Sequence, residues 1–375
     1  MTHETRLGVG LIGSGYMGKC HALAWNSVAA VFGDVASPRL VALADTDAQL
    51  AERRARSFGF SRGTADWHDL ISDDAIDIIS ITAPNQFHAE MAVAALEAGK
   101  HVWCEKPMAT SLVDARRMRD AASGSDRVAI LGYNYVQNPM IRLARDLIAK
   151  GEIGQVSHIR VEMDEDFMAD PDQPFYWKSD AASGYGALDD FAVHPLSLVT
   201  VLHGAISSVV ADMAKPYGER PLSTGGTRTV ENYDIAQALF RTEAGASGVL
   251  MVNRSAWGRK GRIALQVFGS KGSILFDQER MNELQLYTTT DPHGLQGYRT
   301  LLAAPAHPPY QHFIPAPGHG LGFNDLKVIE CRELLRAIAR DPGAEVIDFS
   351  RGYDIEKTVH AMVQSARQNI WIDID

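Results

Sequence analysis

A chain of 375 residues with a formal net charge of −10 is too long for one ordinary hydrophobic core, and its charge does not favour a nucleic-acid partner. Its composition, 46% hydrophobic and 22% charged, is that of a water-soluble globular protein, and no apolar run reaches membrane-spanning length. Cys20, Cys104 and Cys331 are too few and too scattered for a disulfide scaffold or a zinc framework. A reduced, cytoplasmic setting is expected, with no secretory leader and no metal site.

Taken in chain order, the first third alternates strand and helix patterns. RLGVGLIG (6–13) reads as a strand and YMGKCHALAWNSVAAVF (16–32) as a helix. RLVALAD (39–45) is a strand, and AQLAERRARSFG (48–59) a helix stopped by Gly59. IDIISITAP (76–84) is a strand, followed by the helix FHAEMAVAALEAG (87–99). HVWCEKP (101–107), LVDARRMRDAAS (112–123) and RVAILGYNY (127–135) read as strand, helix and last strand. Short apolar strands separated by amphipathic helices predict a parallel sheet covered on both faces, the doubly wound Rossmann architecture. Ligands of such sheets bind beyond the carboxyl ends of the strands.

After the helix PMIRLARDLIAKGEIG (139–154) the pattern changes. VSHIRVEM, ISSVVADMA, NYDIAQALFRT, ASGVLMVNRSA, RIALQVFG, SILFD and ELQLYT alternate as half-buried strands, with a hairpin turn in FGSKGSI. This predicts an α/β domain with a large, mainly antiparallel open sheet, closed by the helices FNDLKVIECRELLRAIARD (323–341) and RGYDIEKTVHAMVQSARQ (351–368). The expected division is 1–134 and 135–375. Residues 289–320, rich in Gly, Pro and His, are expected to form a long ordered loop.

Between the first strand and helix stands Gly13-x-Gly15-x-x-Gly18. Gly13 permits the tight turn, Gly15 lets a pyrophosphate approach, and Gly18 lets helix and strand pack closely. The phosphates would rest on free N–H groups at the helix N-terminus. Asp45, at the end of the second strand, is placed to accept from ribose hydroxyls and to repel a 2′-phosphate, and Thr46 rather than an arginine follows. NAD is therefore expected over NADP. APNQFH and CEKP end two further strands and point at the same crevice; Lys106 stands there between Glu105 and Pro107. A lysine in that position can donate to a substrate oxygen, although single surface lysines usually carry no such role.

In GALDDFAVHPLSL (186–198), Asp190 and His194 are four apart, which on a helix puts them on one face. Two readings are open for this stretch alone: a carboxylate tuning an imidazole, or a capped helix start. Asp189 reads as solvated or capping. Pro195 would break a hydrogen bond inside a running helix, so the helix is expected to start near Asp190 or to kink there.

The glycine loop, APNQFH, CEKPMA, GYNY and GALDDFAVH occur in the order and spacing of the Gfo/Idh/MocA oxidoreductases, and the chain resembles that family along essentially its whole length. The resemblance implies a Rossmann domain, a second domain with an open sheet often buried in a dimer or tetramer, NAD, and a sugar or polyol substrate. It implies Lys106, Asp190 and His194 as catalytic residues, and a cis bond at Lys106–Pro107. Many relatives carry an arginine where Val136 stands here. Candidate cofactor contacts are Gly13, Gly15, Tyr16, Met17, Gly18 and Asp45, with Pro84, Asn85, His88, Glu105 and Lys106 from the two strand ends.

Candidate substrate contacts are Asn134 and Tyr135 in GYNY, Trp177 and Lys178 in DQPFYWKSD, Asp190, His194, and His319 in the stretch 306–327. Aromatic faces with polar tips suit a polyhydroxylated ligand. The last stretch resembles the family members acting on inositols and related sugars. The leading expectation is an NAD-dependent dehydrogenase of scyllo- or myo-inositol or an L-glucose-like sugar, acting as a homo-oligomer. The alternatives are a dehydrogenase of levoglucosan or another pyranose, an NAD-using glycosidase, and an inactive sugar sensor.

Overall fold

The computed structural model describes residues 6–375. The chain forms two compact units: Met1–Gln137 with Gly322–Tyr353, and Asn138–Leu321 with Asp354–Asp375. A single cut at 134/135 is therefore not what is observed, because a segment near the C-terminus returns to the first unit.

In the first unit, β1 (Gly8–Ile12), β2 (Arg39–Ala44), β3 (Arg62–Thr64), β4 (Ile78–Ile81), β5 (His101–Cys104) and β6 (Ala129–Leu131) form one parallel sheet in the order β3-β2-β1-β4-β5-β6. The order reverses between β1 and its neighbours, which is where a doubly wound sheet opens its ligand crevice. Every residue of β1, β4 and β5 is buried, as a sheet covered on both faces requires. The connecting helices are α1 (Tyr16–Phe32), α2 (Ala48–Phe58), α3 (His68–Ile71), α4 (His88–Glu97) and α5 (Leu112–Ser123). Asp47 caps α2 by accepting from the Leu50 N–H at 2.6 Å, and Ser111 caps α5 through the Asp114 N–H at 3.1 Å.

Three local features differ from the sequence expectation. The strand β3 is only three residues of polar sequence and leaves no periodic signal. The last strand stops at Leu131, and Asn134–Gln137 is a turn of 3₁₀ helix. The helix Phe323–Ile338 belongs to the first unit, not the second.

The second unit begins with α6 (Pro139–Ala149) and builds a nine-stranded sheet around β7 (Val156–Glu165). The helix α7 (Val193–His203) packs on β7. Then follow β8 (Ile206–Ala214), the small hairpin β9 (Glu219–Pro221) and β10 (Thr227–Thr229), β11 (Ile235–Thr242), β12 (Ser247–Asn253), β13 (Lys260–Gly269), β14 (Gly272–Asp277), β15 (Glu283–Thr288), β16 (Arg299–Leu302) and β17 (Ile372–Asp373). The large sheet runs β16-β15-β14-β13-β7-β12-β11-β8-β17. Its pairs are antiparallel except β7 with β12, as expected for a mainly antiparallel sheet. The stretch expected to be loop, 289–320, contains β16, which extends the sheet at one edge.

Alternation is plain in β11, where Ala236, Ala238 and Phe240 are buried while Gln237, Leu239 and Arg241 face outward. Phe240 lies opposite Gly248 on β12, where a Cβ would fall 2.0 Å from its ring. The glycine makes room for the ring, and the ring covers the glycine's backbone. Phe240→Ala is expected to destabilise the protein by about 3–5 kcal/mol. A urea unfolding midpoint unchanged from the wild type would contradict this packing.

Candidate cofactor crevice and catalytic cluster

The first unit's crevice is built from the turn after β1. Gly13 adopts φ +93°, and a Cβ on Gly18 would lie 2.2 Å from the Gly13 carbonyl oxygen, so the turn closes only with glycines. A Cβ at Gly15 would meet nothing within 4 Å, which leaves that backbone open to a ligand. Unlike α2 and α5, α1 has no side-chain cap, among the described residues, and its first turn holds no acidic residue. The N–H groups of its first turn are a place for anionic oxygens. Tyr16 stands exposed at this end and stacks on Phe323 at 6.1 Å, with Met17 half-buried beside it.

Asp45 leaves β2 and turns back to the glycine loop. Its Oδ2 accepts from the Ser14 N–H at 2.9 Å and from the Ser14 hydroxyl; its Oδ1 accepts from the Thr46 N–H at 2.7 Å. It borders a cavity of about 290 Å³ lined by Ile12, Gly13, Ala44 and Thr46 on one side and by Pro84, Phe87 and Met91 on the other. An apolar slot with a fixed carboxylate at its rim and open helix N–H groups nearby fits an adenosine and pyrophosphate. Trp67 also lines the slot, and the sequence reading passed over it because β3 itself went unseen.

Two of the expected cofactor contacts turn away from this crevice. His88 is buried, with Nδ1 at 2.8 Å from the Pro107 carbonyl and Nε2 at 2.9 Å from the Ala83 carbonyl. Burial pushes its pKa down. It links the two strand-end loops rather than reaching a ligand. Glu105 is likewise buried: its Oε1 accepts from His21 Nε2 at 2.8 Å and from Lys327 Nζ at 2.5 Å. Burial alone would raise this carboxyl, but the Lys327 ammonium and the His21 N–H outweigh it and hold the group well below the usual carboxylate range. Lys106 is half-buried at the end of β5, and its bond to Pro107 is cis, as the resemblance implied. Pro84 and Asn85 remain at the strand-end turn, partly or fully accessible. Asn134 is buried, and Tyr135 sets its ring edge-on to Phe323 at 5.9 Å.

The second unit holds a charged cluster. Asp190 lies in one turn of π-helix, Leu188–Ala192, that runs into α7, where His194 is the second residue. The π-turn resolves the proline problem. Pro195 falls in the first turn of the new α-helix, where a missing N–H costs nothing. Lys178 donates to both Asp190 oxygens at 2.8 Å, and Arg254 Nη1 stands 3.8 Å from Oδ2. Lys178 was expected on a substrate and is found on the catalytic candidate itself. Arg254 is in turn held by Asp234 at 2.7 Å and Asn232 at 3.2 Å, and Asn232 donates to the Lys178 carbonyl at 2.6 Å. Arg254 and Asp234 have no motif in the sequence; only a strand-end arginine beside a distant aspartate in the sheet could have hinted at them.

Asp189 is buried, not solvated, and accepts from the Tyr185 N–H. Trp177 remains about 41% exposed, and His319 is exposed with Nδ1 at 3.2 Å from the Pro317 carbonyl. The structure thus brings Lys178 to Asp190 and leaves His319 on an outer loop of its own unit.

Residues 7–133 match the family model described as oxidoreductase family, NAD-binding Rossmann fold, and residues 141–275 match the Gfo/Idh/MocA C-terminal domain. The chain is 36% identical to levoglucosan dehydrogenase of Pseudarthrobacter phenanthrenivorans over 98% of either chain. It is 28% identical to myo-inositol 2-dehydrogenase of Thermotoga maritima over 78% of this chain and 81% of that one. A solved levoglucosan dehydrogenase, in complex with NADH and L-sorbose, superposes with a TM-score of 0.95 at 36% identity, covering 99% of both chains.

The buried Asp189 makes stability depend on pH. Burial, with the Asp190 charge beside it, raises its carboxyl to about 7 despite the Tyr185 N–H and Arg254. The folded state keeps a proton that the unfolded chain releases near pH 4, so the contribution is full at low pH and is lost as pH rises through 7. Asp189→Asn should therefore gain melting temperature relative to wild type between pH 5 and pH 8. A relative loss over that range would refute the assignment.

Proposed function

The chain belongs to the Gfo/Idh/MocA family of NAD-binding oxidoreductases, and we propose that it is a dehydrogenase that oxidises a secondary hydroxyl of a pyranose sugar such as levoglucosan. The observation that carries the substrate class is the end-to-end match to levoglucosan dehydrogenase, 98% of either chain at 36% identity. Inositol led on sequence alone. The shorter and weaker match to a myo-inositol dehydrogenase makes it the second reading.

In this reading His194 takes the hydroxyl proton as general base. Asp190, paired with Lys178 and close to Arg254, supports the positive charge that develops on the imidazole. Lys106 donates to the reacting oxygen and fixes its position. A bound nicotinamide would supply the hydride acceptor for the carbon that bears this hydroxyl. Asp45 selects NAD, because a 2′-phosphate would meet a carboxylate already fixed by Ser14 and Thr46. A homo-oligomer has a surface to match: the outward face of the nine-stranded sheet leaves Leu239 and Met251 half exposed.

The test is NADH formation at 340 nm with levoglucosan, D- and L-glucose, galactose, xylose and the inositols, each with NAD and NADP. Turnover with levoglucosan or a pyranose supports the proposal; turnover with an inositol alone moves the substrate to the second reading. No steady NADH formation with any of them would favour a glycosidase or a sensor. His194→Ala and Lys106→Ala should each lower kcat by about 10²–10⁴-fold. Asp45→Ser should shrink the preference for NAD over NADP by at least about tenfold, since one charge contact of about 1.4 kcal/mol is worth that factor.

A further inference from the structure

Lys327 is buried in the second turn of the helix Phe323–Ile338 and takes no part in the machinery proposed above. Its ammonium donates to Glu105 Oε1 at 2.5 Å and to Glu330 Oε2 at 2.9 Å. Burial alone would lower its pKa, but the two carboxylates push it up to about 12, so it stays charged. A fully buried cation of this kind costs several kcal/mol unless it is paired, and its removal leaves the carboxylates uncompensated.

The partner it holds is unusual in position. Glu105 is the residue before Lys106, and its other oxygen, Oε2, accepts the backbone N–H of Lys106 at 3.3 Å. Its Oε1 also accepts from His21 Nε2, and His21 Nδ1 accepts from the Ser80 hydroxyl at 2.6 Å. Burial pushes His21 down to about 4, so the ring is neutral and its one proton sits on Nε2. Trp103 stacks on His21 at 3.7 Å and closes the cluster on one side. Gly132 closes it on another, where a Cβ would come within 2.4 Å of Glu105 Oε1. His21 lies on α1, the helix whose open N-terminus forms the crevice. One ammonium therefore anchors a carboxylate that touches both the Lys106 backbone and the crevice helix.

We propose that Lys327 is a positioning residue for the dehydrogenase reaction: by holding Glu105 it sets where Lys106 stands at the end of β5 and how α1 meets the cofactor. The proposal rests on the role given to Lys106 above. A loss of hold of about an ångström at a reacting group can lower a rate by about 10²-fold.

Two variants of the full chain test it, Lys327→Met and the double variant Glu105→Gln with Lys327→Met. Each is measured for melting temperature, NADH dissociation constant by fluorescence, and kcat and KM for the best sugar. The single variant should melt lower, because Glu105 and Glu330 then face each other without a cation. The double variant should recover part of the melting temperature, since the neutral amide still reaches His21 and only Glu330 is left without its cation. Its kcat should stay down by about 10–100-fold with sugar KM within about threefold, and its NADH dissociation constant should rise at least about threefold. Wild-type kcat and NADH affinity in a double variant that folds would overturn the proposal, leaving Lys327 as charge balance alone. Should the double variant not fold, Glu105→Gln alone, which keeps Lys327 on Glu330, reads the same quantities with the same two outcomes. If the wild type oxidises no sugar, the functional reading falls, and NADH affinity by itself decides the positioning proposal.

Discussion

A carboxylate buried at the end of a parallel strand must be met by a cation, and the first unit is arranged around that requirement at Glu105. No lysine or arginine nearby in sequence satisfies it; the cation that does, Lys327, comes from 222 residues further along. The helix that carries it is pinned to the same unit by other pairs, including Arg332 with Asp34 at 3.2 Å and with the Phe32 ring at 4.5 Å. Gln137 adds a bond to the Glu345 carbonyl at 2.8 Å. The chain thus leaves the first unit, builds the second, and returns to complete the first. Burying Glu105 without that return would cost more than a marginally stable domain can offset.

The crevice follows from a complementary economy of polar groups. The starts of α2 and α5 are satisfied by Asp47 and Ser111. The start of α1 has no such partner in its own sequence, and its glycines hold the backbone close to the strand while keeping Gly15 open. Asp45 then fixes itself on Ser14 and Thr46, so the carboxylate at the rim of the slot is in place before any ligand arrives. A carboxylate fixed in this way need not be rearranged when a ligand binds beside it.

The second unit applies the same rule to a cluster of opposite balance. Arg220 and Arg254 are buried around Asp234, and Arg254 and Lys178 converge on Asp190. Asp190 is thereby met by cations from two separate segments. The π-turn beneath it spends one extra residue and in return lets Pro195 enter the helix where no donor is needed. Asp189, next to it, receives no cation within hydrogen-bond reach among the described residues and is pushed toward neutrality instead.

Whatever repeats at short range could be read from the residues alone. The parallel sheet was legible in apolar runs such as GVGLI and IISI, the glycine turn in its spacing, the second sheet in the alternation of strands such as IAQALFRT. The strand β3 was not, because three polar residues carry no period. Lys106, Asp190 and His194 were legible as candidates because each sits at the edge of a strong local pattern. Only the tertiary structure decided what their neighbours touch. It turned Glu105 and His88 inward, brought Lys178 to Asp190, buried Asp189, and carried Lys327 back to β5. Periodicity reports which face of an element is apolar, a property of a dozen residues at most. The partner of a buried charge is set by the packing of whole elements, and nothing in the local sequence encodes it.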